Sequence, residues 1–193
     1  MRKLLLLKHW QLFSLVVGLP VSLQIVCLLI SWAAAPRFIF PYMFATSMIV
    51  SMIVFWGWFY VLGTNLYKKL PFKAGMNPGL FKLFLVIPVL YMLTILAVIG
   101  FIGDPVSAPF NPVFFLLAIP VHLFSIFCIF YCLYFNAKAL KIVELRKAVV
   151  FNDFAGEFFL LWFFPIGIWI LQPRINRIFE RSSARQAGIT PPV

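Results

Sequence analysis

Of 193 residues, 64% are hydrophobic and 11% charged, against roughly 45–50% and about 25% in soluble globular proteins. A chain this short cannot hide so much apolar surface in its own interior, so lipid must be the solvent for much of it. The 16 Lys and Arg against 5 Asp and Glu give a formal charge of +11. That excess reads as basic residues kept in the cytoplasmic connections of a membrane protein rather than as a nucleic-acid surface.

Residues 1–9 carry Arg2, Lys3 and Lys8 ahead of an apolar run. The run 12–35 is longer than the roughly 7–15 residues of a signal-peptide core. An uncleaved span is therefore expected, although Ala33-Ala34-Ala35 offers small residues for cleavage. Trp10 and Trp32 bracket it 22 residues apart, about 33 Å at 1.5 Å per residue. That distance matches the hydrocarbon thickness with an aromatic at each interface, and places the first span at about 11–33. The second is expected over 40–62, anchored by Tyr42 and Tyr60 and stopped by Gly63-Thr64-Asn65. A polar connection with Lys68, Lys69, Lys73, Pro71 and Pro78 follows; its Gly75-x-x-x-Gly79 lies in a proline-bearing loop and is no helix-dimer face.

The third span is placed at 81–102, stopped by Gly103-Asp104-Pro105, and the fourth at 113–135. Residues 136–150 read as a cytoplasmic helical extension with Lys138, Lys141, Arg146 and Lys147, and with Glu144 placed to pair with Lys147. The next apolar stretch, 158–171, runs for only 14 residues without a charge, and Pro165 and Gly167 interrupt it. That is short for an upright span but suits a re-entrant or interfacial segment, so 154–171 is read as docked in the membrane. Residues 172–193 form a basic tail, expected to be disordered beyond Glu180. Cys27, Cys128 and Cys132 sit in apolar runs and supply no disulfide framework.

Charge decides the orientation. Four crossings with the N-terminus inside put 15 of the 16 Lys and Arg on the cytoplasmic side, and a fifth crossing would leave 11. The inside-positive bias favours four, with both ends cytoplasmic.

Few residues are candidates for chemistry. His122 lies near the middle of span four, two residues after Pro120, where an ionisable group is costly and marks a proton relay or a polar ligand contact. The structural alternative, which is favoured, is a neutral imidazole that hydrogen-bonds across a helix interface, for example to Gln24 or Ser22 of span one. Asp153 and Glu157, four apart, share a helix face and could share a proton or hold a cation. Ion pairing with Arg174, Arg177 or the 138–147 cluster is the favoured reading for them. Arg174, Arg177, Arg181 and Arg185 form one helical stripe suited to anionic phospholipid head groups or to an acidic membrane or cytoplasmic protein partner. Pro20, Pro88 and Pro120 interrupt three spans, a weak pointer to transport. No G-x-S-x-G, H-E-x-x-H, P-loop or G-x-G-x-x-G occurs, so no catalytic set, cofactor or metal is expected. His122 and Cys128 stand about 120° apart on a helix, too far round for shared ligation.

The segments Phe135-Asn136-Ala137-Lys138-Ala139-Leu140-Lys141, Gly156-Glu157-Phe158-Phe159, Trp162-Phe163-Phe164-Pro165-Ile166-Gly167-Ile168-Trp169 and Gln172-Pro173-Arg174-Ile175-Asn176 resemble those of uncharacterised small multi-span membrane proteins of bacteria. The resemblance covers roughly a fifth of the chain. It implies a bacterial inner membrane and no particular activity.

The sequence thus reads as an all-α membrane protein: four transmembrane helices plus a C-terminal re-entrant or interfacial aromatic helix. The expected function is a non-enzymatic membrane scaffold or accessory subunit with a basic cytoplasmic face, able to form oligomers. The alternatives are a small channel or transporter using His122 and Asp153/Glu157, and, third, an intramembrane enzyme.

Overall fold

The computed structural model describes residues 2–33, 39–72, 74–102 and 112–186. All regular structure among them is helical. A 3-10 turn, Arg2–Leu6, leads into α1 (His9–Phe13), a π-helical stretch (Ser14–Gly18) and α2 (Leu19–Ala33). Then follow α3 (Ile39–Tyr67), α4 (Pro78–Ile102), α5 (Pro112–Leu145), α6 (Phe151–Trp162) and α7 (Phe164–Gln186). Four stretches are long and apolar enough to cross a membrane: His9–Ile30, Phe44–Tyr67, Pro78–Val98 and Ala118–Leu145. The π-helical stretch ends two residues before Pro20, and the Leu19 N–H reaches back to the Ser14 carbonyl. A wider turn there accommodates the proline, which cannot donate to the residue four back. Of the sequence features read above, Arg37, Lys73, Gly103-Asp104-Pro105 and residues 187–193 lie outside the described residues.

Three helix ends depart from expectation. Gly63-Thr64-Asn65 does not stop α3, which continues to Tyr67. The Thr64 hydroxyl donates to the Tyr60 carbonyl at 2.7 Å and the Asn65 amide to Val61 at 2.7 Å, both within the helix. Gly63 is there for packing: a Cβ would meet the Phe81 ring and, at 2.9 Å, Asn136 Oδ1. α5 ends at Leu145 rather than near 150, closed by Arg146 in the left-handed region (φ 54°), whose N–H donates to Ile142 at 2.7 Å. Finally, the apolar stretch 158–171 is not one segment. It breaks at Phe163 into α6 and α7, and α7 carries the tail in helix as far as Gln186.

α6 and α7 form a hairpin packed into the bundle. Gly167 makes the close return possible, because a Cβ there would overlap the Leu160 carbonyl. Phe164 sets its ring edge-on against Phe55 (4.9 Å) and Trp58 (5.3 Å) of α3. Trp169 meets His9 at 4.7 Å and Phe13 at 5.7 Å. The core lies along this hairpin: Trp58, Leu62 and Leu66 of α3, Phe81 of α4, Phe135 and Leu140 of α5, Phe154 and Leu161 of α6, and Leu171 and Ile175 of α7 are all buried. Much of the opposite half, including Ile25, Leu29, Leu90, Leu116 and Leu123, is exposed, as lipid-solvated helices should be.

Candidate functional site

A cluster of polar groups gathers at one end of the bundle, where the first turn, the end of α3, the end of α5 and the middle of α7 meet. Three ties make this end. Lys69 Nζ donates to the Ile178 carbonyl at 3.4 Å and lies 4.6 Å over the Phe179 ring. The Gln172 amide nitrogen lies 3.1 Å from the Leu5 carbonyl, 3.0 Å from that of Leu7 and 3.0 Å from Asn176 Oδ1. Asn176 adds a donor to Leu7 at 3.1 Å. Gln172 and Asn176 are one helical turn apart, so both amides face the first turn and pair carbonyls that no intrahelical N–H reaches.

Arg174, between them, faces the other way and binds two carboxylates. Its Nε donates to Glu144 Oε1 at 2.9 Å, while Nη2 donates to Glu144 Oε2 and, at 2.6 Å, to Glu157 Oε1. Lys141 Nζ approaches the same Glu157 oxygen at 3.0 Å. The Glu157 side chain is only 6% exposed. Burial pushes its carboxyl up, but the hydrogen bonds from Arg174 and Lys141 outweigh burial and hold it below the usual carboxylate range. On Arg174 the hydrogen bond to Glu144 acts first, against burial, and raises an already basic guanidinium. Two cations and two anions thus close into a neutral cluster joining α5, α6 and α7. The planar guanidinium suits this place because it can bridge two carboxylates at once.

Sequence reasoning had offered Arg174 as a partner for Glu157, and the structure pairs them. It does not pair Glu144 with Lys147: α5 ends at Leu145, so Lys147 is off the helix and Glu144 turns to Arg174. Asp153 is not drawn to Glu157. Its carboxylate accepts the Val150 N–H at 2.9 Å and caps the first turn of α6. Arg174 leaves the basic stripe for the interior, whereas Arg177 stays exposed. Arg181 and Arg185 continue the helical backbone of α7, and their side chains lie outside the described residues.

His122 does not reach span one, because α5 packs on α3, α4 and α6 while α2 packs on α3. Its Nδ1 lies 3.0 Å from the Tyr91 hydroxyl of α4 instead. Gln24 donates to the Ser47 hydroxyl at 3.4 Å, and Ser22 to the Gly18 carbonyl at 2.8 Å. Tyr91, Gln172 and Asn176 were the polar groups that sequence reasoning did not single out, and Glu144 was given another partner. The four-residue spacing of Gln172 and Asn176 could have marked them; nothing local marks Tyr91 as a partner 31 residues from His122. No group of three or more His, Cys, Asp or Glu able to hold a metal occurs among the described residues. Comparison with protein-family models, with curated proteins and with solved structures gave no match.

Proposed function

We propose that this chain is a non-enzymatic scaffold or accessory subunit of a bacterial inner membrane, with both ends cytoplasmic and the α6–α7 hairpin re-entering the cytoplasmic leaflet. One observation carries the reading: Glu157, the one buried carboxylate among the described residues, is held by Arg174 and Lys141. A carboxylate that must bind and release a proton or cation needs an open coordination face. One neutralised by two cations serves to fix helices in place.

Other features agree. The hairpin tip exposes Phe159, Trp162, Phe163 and Ile166, a surface fit for lipid rather than water. α6, at 12 residues, spans about 18 Å, which enters a bilayer without crossing it. Lys8, Lys68, Arg146, Lys147 and Arg177 are exposed, and a positive cytoplasmic face of this kind attracts anionic head groups or an acidic protein surface.

The test is crosslinking in native membranes followed by identification of what co-purifies. A triple Arg177→Gln, Arg181→Gln, Arg185→Gln variant, with Arg174 kept, should assemble normally and lose its partner. Unchanged recovery of partners would overturn the reading. Solute flux in liposomes that disappears with His122→Ala would replace it with a transporter.

A further inference from the structure

We propose that the outer face between α4 and α5 binds an elongated lipid-soluble molecule bearing a carbonyl or similar acceptor oxygen, held by the Tyr91–His122 pair. The phenol carries one polar hydrogen and the imidazole at least one, and the contact of 3.0 Å between them uses only one. In either ring tautomer a donor is left over: Nε2–H if Tyr91 donates, the phenolic hydrogen if the ring donates. His122 is exposed, and Tyr91 is its hydrogen-bond partner among the described residues. The nearby Thr94 hydroxyl donates to Leu90 at 2.9 Å and so has no hydrogen left to offer. An unspent donor facing hydrocarbon is costly, so the pair is completed from outside the chain by an acceptor.

Depth narrows the ligand. His122 is ten residues from the start of α5 and Tyr91 eleven from the end of α4, each about 15 Å from that end of the bundle at 1.5 Å per residue. With the ends of α4 and α5 at the interface, that is mid-bilayer. Phospholipid ester and phosphate oxygens sit at the interface, roughly 15 Å away, and cannot serve.

Beside the pair lies a groove of about 500 Å³ lined by Ile87, Tyr91, Thr94 and Val98 of α4 and Ala118 and Val121 of α5. Its volume falls in the small-molecule range of roughly 300–1,000 Å³. From Ile87 to Val98 it extends about 16 Å, close to one leaflet. A flat carbonyl-bearing ring with an alkyl tail matches this length, this apolar lining and the single unspent donor.

The test uses the full chain in lipid nanodiscs with two probes of equal tail length: a decyl-substituted benzoquinone, which has acceptor oxygens, and decylbenzene, which has none. Saturable binding of the quinone, tighter than that of decylbenzene, is expected. His122→Phe should weaken the quinone by about three- to tenfold, the value of one net hydrogen bond, and leave decylbenzene unchanged. Ala118→Leu, which fills the groove and keeps both polar side chains, should abolish binding of both and keeps the test alive if His122→Phe does not fold. Absence of saturable binding, or equal binding of both probes unaffected by His122→Phe, would overturn the inference. So would a stable dimer that His122→Phe converts to monomer, since the face would then belong to a second copy of the chain.

Discussion

Replacing Arg174 by Met tests the ion cluster most sharply. The change keeps an unbranched apolar side chain in place of the aliphatic part of Arg174 and removes its three hydrogen bonds to Glu144 and Glu157. Removing one partner of a buried ion pair typically costs about 3–5 kcal/mol, because the remaining charge is stranded. Here the cost is smaller. Glu157 keeps Lys141 at 3.0 Å, and the Glu144 side chain, 21% exposed, recovers some solvation. A loss of about 2–3 kcal/mol is expected. At about 2–4 °C per kcal/mol for a chain of this size, the midpoint of thermal unfolding should fall by about 4–12 °C. Tryptophan fluorescence or loss of the monodisperse peak on heating in detergent would read it. Arg174→Lys should fall between wild type and Arg174→Met, since a point charge cannot bridge two carboxylates as the guanidinium fork does. Arg177→Met, on the exposed side of the same helix, should shift the midpoint little. Equal midpoints for Arg174→Met and Arg177→Met would show that the cluster contributes nothing and that Glu157 tolerates its burial for another reason.

Other consequences follow from the same contacts. Glu157 is held below its ordinary value of 4.5, so the stability it contributes is present above that value and is lost as pH falls through its folded value; acid unfolding scans of wild type and Glu157→Gln should therefore diverge above pH 4.5 and converge below it. Gly167→Ala places a methyl group against the Leu160 carbonyl, a backbone atom that cannot rotate away, and should cost at least the 1–3 kcal/mol typical of overpacking, whereas Gly156→Ala meets nothing within 4 Å and should be neutral or mildly stabilising in the same melt. Gln172→Leu removes the donors to Leu5 and Leu7 and should raise amide exchange across residues 2–8 while leaving that of α4 unchanged.

What could be read from the sequence was set by lipid solvation, which leaves its mark on composition alone. Four spans follow from apolar length and from the placement of Lys and Arg, and both signals are local. Helix ends were less legible. Gly63 looked like a stop because glycine usually marks one, but its missing side chain serves the approach of Phe81 and Asn136 from two other helices. Pro165 and Gly167 marked an interruption of the aromatic run but not its place at Phe163, since Pro165 suits the first turn of a new helix as well as it ends an old one. Of the site, the Glu157–Arg174 pairing was foreseeable from charge scarcity in an apolar segment. The Gln172 and Asn176 clamp on the first turn joins residues 165–169 apart, which no spacing rule reaches. His122 was legible as unusual and its partner was not, because pairing depended on α5 lying against α4 rather than α2.

The central claim is that the hairpin enters the membrane and returns, leaving the basic stretches on one side. Single cysteines at Ser107, between α4 and α5, and at Ser183, in α7, test it directly in a background where Cys27, Cys128 and Cys132 are replaced. Labelling of Ser107→Cys alone by an impermeant thiol reagent on intact cells is the expected result. Labelling of Ser183→Cys from outside would contradict it, and would make the Glu157 cluster part of a fifth crossing.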